Sequence, residues 1–115
     1  MEVRAKLNNY RVSAQKARLV VDQIRGRGVG EALITLDLST KRVARPIAKL
    51  VRSAVANAET KNERDKAGID LDNLVVHRIH VDEGSSMWRV RARAHGRAAW
   101  IQKRTSHITV VLAER

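Results

Sequence analysis

The sequence predicts an α+β fold: a body of three helices and three strands from which a long two-stranded β-hairpin projects. Two kinds of periodicity and one length argument carry this expectation. Glu2–Leu7 alternates apolar and polar residues with the period of a strand, and Leu74–Val81 and Ile108–Leu112 are apolar runs of strand length. Three intervening segments repeat apolar residues at three- and four-residue intervals, as helices with one buried face do. The 26 residues from Asp82 to His107 show no helical period, and a structureless connection of that length is rare in a compact domain. The economical solution continues the flanking strands outward as the arms of one hairpin, each adding roughly 10 residues or about 33 Å at strand rise.

Along the chain, Val3, Ala5 and Leu7 face one side of the first strand and Glu2, Arg4 and Lys6 the other, with Asn8-Asn9 closing or loosening it. Ser13 is suited to cap the first helix, because its hydroxyl can accept from a free first-turn amide. Ala17, Val20, Val21 and Ile24 make the buried stripe of that helix, and Lys16, Arg18 and Arg25 lie outside it. Gly26-Arg27-Gly28-Val29-Gly30 resembles a phosphate-cradling loop only superficially. Such a loop follows a strand, whereas this one follows a helix and has no Walker lysine after it, so it reads as a helix end and tight connection. Glu31–Leu38 is a short second helix with Ala32, Leu33 and Leu36 inward. The third and longest helix starts near Arg42, buries Val43, Ile47, Leu50, Val51, Ala54, Val55 and Ala58, and runs to about Glu63. Pro46 is tolerated if it falls in the first turn, where amides have no intrahelical partner. Lys61–Gly68 is polar and charge-mixed, a surface loop.

At 115 residues, with 43% hydrophobic content, the chain is expected to be one domain, 1–115, with an extended arm at about 82–105. There is no Phe and aromatic content is 3%, so the core must be Val, Ile, Leu and Ala. The absence of cysteine excludes disulfides, thiolate metal sites and cysteine catalysis. No apolar run approaches the ~20 residues of a membrane span and the start has no signal-peptide pattern, so a soluble intracellular protein is expected. The net charge of +11 points to a polyanionic partner. That charge belongs to the ends: +5 in residues 1–30, zero in 31–83 and +6 in 84–115.

The arm is the most one-sided stretch. Arg89, Arg91, Arg93, Arg97, Lys103 and Arg104 fall between Glu83 and Glu114 with no carboxylate among them. If residues 89–97 form a strand, Arg89, Arg91, Arg93, His95 and Arg97 share one face at about 6.6 Å spacing, and Val90, Ala92, Ala94, Gly96 and Ala98 share the other. Guanidinium matches phosphate through its planar fork and stays charged at working pH, whereas edges kept merely soluble usually carry Lys. A two-stranded ribbon of this length is marginal alone, which independently argues for a partner. Gly84, Ser85, Ser86, Met87 and Trp88 are expected near the tip. Trp88 either stacks on an exposed base or packs across the hairpin on Val90 or Ala92, and Trp100 reads as cross-strand packing.

No active site or cofactor site emerges. His77 and His80, three apart on a strand, should face opposite ways and cannot share a metal, and adjacent Asp82 and Glu83 are poorly placed as an acid–base pair. Ser13, Asp22 and His107 lack any spacing that would tie them into a triad. A ribonuclease would need a paired His or His/Glu arrangement. A DNA-bending protein with a β-ribbon arm, using Met87-Trp88 as a wedge, is the competing binding function.

The segments Ser13–Gly26, Ser53–Ala58, Val81-Asp-Glu-Gly84 and above all Lys103-Arg-Thr-Ser-His-Ile-Thr-Val-Val-Leu112 resemble the bacterial-type large ribosomal subunit protein 22 family over essentially the whole chain. The resemblance implies three helices packed on a small three-stranded antiparallel sheet with a long protruding hairpin. It implies a cytoplasmic, non-enzymatic constituent of the large subunit, without cofactors and monomeric within the ribosome. Such a protein binds 23S-type rRNA beside neighbouring ribosomal proteins and supports assembly. Its body sits near the nascent-polypeptide exit and its hairpin lines the tunnel wall, where the nascent chain and macrolide antibiotics pass. The implied RNA-binding residues are Lys16, Arg18, Arg25, Arg89, Arg91, Arg93, Arg97, Lys103 and Arg104, and the implied tunnel-tip residues are Ser86, Met87, Trp88, Arg89, Val90 and Arg91. Three positions depart from the family pattern: Ser85 and Ala92 replace prolines and Trp88 a basic residue.

Overall fold

A computed structural model describes residues 2–66 and 68–114; Met1, Ala67, which falls in the expected Lys61–Gly68 loop, and Arg115 lie outside the described residues. Three helices and five strands in two antiparallel sheets make an α+β fold. In chain order these are β1 (Glu2–Tyr10), α1 (Ala14–Ile24), α2 (Val29–Leu38), α3 (Ala44–Asp65), β2 (Leu74–Glu83), β3 (Met87–Ala92), β4 (Ala98–Lys103) and β5 (Ser106–Glu114). β5 lies between β1 and β2 in the body sheet, and β3 pairs with β4 in a separate ribbon.

The core lies between the body sheet and the helices. Ile108, Val110 and Leu112 of β5, Val76, Ile79 and Val81 of β2, and Val3 and Ala5 of β1 meet Val20, Val21 and Ile24 of α1 and Ile47, Leu50, Val51 and Ala54 of α3. Ala17, Ala44, Ala48, Ala54 and Ala58 are buried, so small side chains let helices approach the sheet closely. Ser13 caps α1 by accepting from the amide of Lys16 at 3.4 Å. Pro46 is the third residue of α3 and sits in its first turn, as expected. Ser106 is the one fully buried polar side chain of the described core, and its hydroxyl donates to the Val12 carbonyl at 2.7 Å. Ser106→Ala should therefore cost about 1 kcal/mol, because the half-buried Val12 carbonyl loses its partner, measurable as a lowered urea midpoint with unchanged slope.

Both edges of the body sheet are closed by side chains. On β2, Arg18 donates to the Val81 carbonyl at 2.9 Å and Arg25 to that of Ile79 at 2.8 and 3.3 Å, while the loop after α1 pairs Gly26 and Arg27 with Val76. On β1, Asn57 and Lys61 of α3 donate to the carbonyls of Arg4 and Glu2. Edge groups left open would invite further strand pairing.

Several expectations need correction. α3 continues through Lys61–Asp65, where a surface loop was expected, because those polar residues extend its solvent face without a helix breaker. The helix stops at Lys66 in left-handed conformation, and the Asn62 amide then clips both backbone groups of Ile69 at 2.7 and 2.8 Å. The alternation that puts His77 and His80 on opposite faces is broken by an irregularity between Val76 and Arg78. His77 and Arg78 both reach Glu2, at 3.7 and 3.0 Å, and His80 reaches Asp82 at 3.6 Å.

The long hairpin is present but not continuous. Gly84–Ser86 and Arg104-Thr105 interrupt it, leaving β3–β4 as its own ribbon. The Gly84 amide donates to the Thr105 carbonyl at 2.9 Å and the Thr105 hydroxyl to that of Ser85. A Cβ on Gly84 would come within 2.6 Å of the Thr105 hydroxyl, so only glycine lets the two segments approach this closely. The turn is Arg93–Arg97, not Gly84–Trp88. Arg93 donates to the Arg97 carbonyl at 2.6 Å, and His95 and Gly96 supply the positive φ values, 62° and 68°, that reverse the chain. Equal arms place a turn midway between their ends, so Ser86, Met87 and Trp88 lie at the base of the ribbon. The molecule measures 64 × 27 × 16 Å, with a radius of gyration of 17.4 Å. A compact chain of this length would have about 13 Å.

Candidate nucleic-acid interface

The register of the arm fixes what each face carries. Arg89 opposes Ile101, Arg91 opposes Ala99 and Met87 opposes Lys103. One step further, Arg93 meets Arg97 across the turn. Directly opposed residues share a face, so Arg89, Arg91, Arg93, Arg97 and Lys103 stand together. Trp88, Val90, Ala92, Ala98, Trp100 and Gln102 form the other face, which bears no charge. The expected arginine ladder therefore exists, but it folds back over the turn, with His95 in the turn itself.

Among the described residues none of these cations has a carboxylate partner. Among the described residues, the ion pairs are Arg25–Asp22, Arg52–Asp37, Glu2 with His77 and Arg78, and His80–Asp82, all outside the arm. The Arg89 guanidinium reaches only the Trp88 carbonyl at 3.4 Å and the Met87 sulfur at 3.9 Å. All residues of β3 are exposed, those of β4 are exposed or half-buried, and no described residue from 84 to 105 belongs to the hydrophobic core, so the arm's cations face outward to a partner.

A second cationic zone forms where the arm leaves the body. Lys16 at the start of α1 joins Lys103 and Arg104 around a groove of about 310 Å³, with Arg11, Val12, Ser13 and Gln102 completing the wall. The fold thus brings together basic residues nearly 90 positions apart in sequence, with no carboxylate between them. Arg18 and Arg25 are oriented elsewhere. Their guanidinium groups hold the β2 edge, and Arg25 also meets Asp22 at 2.7 Å, so the donors they can offer RNA are fewer.

A third zone escaped the reading of the sequence. Arg45, Lys49 and Arg52 recur at three- and four-residue spacing along the N-terminal part of α3, a spacing that Arg42 continues in the turn before it, and with Lys41 they line a groove of about 880 Å³ against the end of α2. Asp37 is the only carboxylate in its wall and pairs with Arg52 at 3.4 Å. Averaged over residues 31–83, the charge is zero, which conceals five cations and no acid in 39–58. The helical spacing was the signal that could have found them.

The described residues hold no group of three or more His, Asp or Glu side chains arranged for a metal ion, and no described helix is long and apolar enough to cross a membrane. The surface chemistry is that of polyanion binding: exposed, unpaired guanidinium groups on a narrow projection, continued by two basic zones on the body. A family model described as ribosomal protein L22p/L17e matches residues 5–113, which take in all three helices, β2, β3 and β4 and most of β1 and β5. That family is structural and not enzymatic, a component of the ribosome in the cytoplasm with rRNA and ribosomal proteins as partners, and it lends no support to the DNA-bending alternative. With cationic arm, basic body zones and a match over almost every residue all in agreement, this chain belongs to the ribosomal protein L22p/L17e family, the rRNA-binding proteins of the large ribosomal subunit.

Proposed function

We propose that the chain is a single domain that docks its body on folded rRNA near the nascent-polypeptide exit and threads its arm between rRNA segments to the tunnel wall, supporting assembly of the subunit. The carrying observation is the arm itself, a ribbon with five cations on one face and no ion pair among the described residues. Dense rRNA supplies phosphates on several sides of such a projection, and counterion release from them favours insertion. Arg89, Arg91, Arg93, Arg97, Lys103, Arg104 and Lys16 are the contacts this function needs, with Arg18 and Arg25 chiefly closing the sheet edge and the α3 stripe adding a site on the body.

The residues offered to the tunnel lumen are then those at the crest of the turn, Ala94, His95 and Gly96, with Arg93 and Arg97 holding rRNA phosphates behind them. Ser86, Met87 and Trp88 stand at the far end of the ribbon and face rRNA instead. Macrolides bound in the tunnel would meet the same turn. A photo-reactive side chain at Ala94, in the exposed turn, should crosslink to stalled nascent chains in ribosomes carrying the variant protein, and one at Ser86 should crosslink to rRNA but not to the chain. Crosslinks to nascent chain from Ser86 and none from Ala94 would reverse the proposed orientation.

A further inference from the structure

Phosphate binding uses one face of the arm and leaves the other without a role. That face is Trp88, Val90 and Ala92 on β3 opposite Gln102, Trp100 and Ala98 on β4. Trp88 is 56% exposed, Val90 57% and Trp100 70%. A two-stranded ribbon has no second layer with which to cover such side chains, so an aromatic face of this kind is left for a partner. Trp100 stands opposite Val90 and Trp88 opposite Gln102, which puts the two indoles on diagonal positions of one face. Their neighbours on the strands, Val90, Ala92 and Ala98, are too small to cover the rings.

Whatever covers this face must also sit beside five cations carried on the reverse of the same ribbon, in a stretch without a carboxylate from Gly84 to Ala113. Nucleic acid meets both demands with one polymer, since it carries negative charge along its backbone and neutral, planar π faces on its bases. A paired base has its faces occupied by its neighbours in the helix, so the complement of an open indole is an unpaired base. We propose that Trp88 and Trp100 form a base-stacking platform for unpaired RNA nucleotides, while Arg89, Arg91, Arg93, Arg97 and Lys103 hold phosphates on the opposite face. The platform rests on the rRNA-binding function above and adds to it what the uncharged face recognises.

Trp88 and Trp100 are the two tryptophans of the sequence, so the intrinsic indole fluorescence of the whole protein reports on this face alone. The full chain is titrated with an oligoadenylate of about 12 nucleotides and, separately, with inorganic polyphosphate of matched charge, and binding is followed by calorimetry beside the fluorescence. Oligoadenylate should quench most of the emission at saturation and polyphosphate should bind with little quenching, because only the former has bases to stack. Trp88→Leu with Trp100→Leu should weaken oligoadenylate binding by about tenfold per residue, within the range of single base–aromatic stacks. The polyphosphate affinity and the salt slope should stay unchanged, and the double Phe variant should keep most of the binding. Equal quenching by both polymers, or a Leu variant that binds oligoadenylate as tightly as the parent, would overturn the platform. So would emission that responds to an uncharged apolar peptide but not to oligoadenylate, which would mark a polypeptide-binding face. Failure of both polymers to bind would instead bring down RNA binding itself, and the platform with it.

Discussion

Replacing Arg91, Arg93 and Arg97 together by alanine is expected to lower the affinity for RNA by about two to three powers of ten near 0.1 M salt. Each phosphate contact contributes roughly 0.7 to 0.9 to the slope of log affinity against log salt, so three lost contacts should flatten that slope by about 2 to 3. The size of the effect follows from where the three side chains stand. They share the charged face of the ribbon, none has a carboxylate partner among the described residues, and none contributes to the core. Their removal therefore should not destabilise the body, and the unfolding midpoint serves as the internal control. A slope identical to that of the parent protein would refute the arm mechanism, because charges that release no counterions are not at phosphates. Arg25→Ala should separate the two uses of arginine in this chain. Its guanidinium already donates to Ile79 and Asp22, so its loss should be felt more in stability than in salt dependence.

The three cationic zones differ in how they are built, and that difference explains which of them can be read without coordinates. The arm is a local pattern. Period-two spacing over Arg89, Arg91 and Arg93 and the lack of any acid to Glu114 are visible in a line of text, and the face they imply is the face observed. The position of the turn was legible too, in Gly96 and the equal lengths of the two arms, but Gly84-Ser85-Ser86 offered a more conspicuous decoy. Those residues interrupt the hairpin instead, for a reason only tertiary contacts reveal: the Thr105 and His107 side chains crowd the place where a Cβ on residue 84 would stand. The α3 stripe is a helical pattern hidden by averaging charge over too long a window. The groove at the base of the arm is not a sequence pattern at all, since Lys16 and Lys103 come together only through the pairing of β1 with β5 and the start of α1 beside them. The buried stripes of α1 and α3 were readable because burial alone sets them. The interruption at His77 was not, because an extra residue in a strand leaves the apolar alternation on either side intact.

Excising the arm should leave the body standing. Joining Ser86 to Arg104 through a two-residue Asn-Gly turn removes β3 and β4 entirely, and the stability of what remains should change by less than about 1 kcal/mol. β3 and β4 pair only with each other, and the core is complete without them, from Val3 to Val81 and from Ile108 to Leu112. By contrast, Ile108→Ala, at the third β2–β5 residue pair counted from the arm on the central strand, should cost about 2–5 kcal/mol, because the side chain is fully buried between both neighbouring strands and the helices. Set against a total of about 5–15 kcal/mol for a domain of this kind, that single truncation could unfold much of the population at physiological temperature. Urea denaturation of the two variants tests both halves at once. An armless body that lost several kcal/mol would mean that the ribbon supports the sheet from which it springs. A body of parental stability that has lost the steep salt dependence of RNA binding would show that some 17 residues, Met87–Lys103, are maintained for the partner alone.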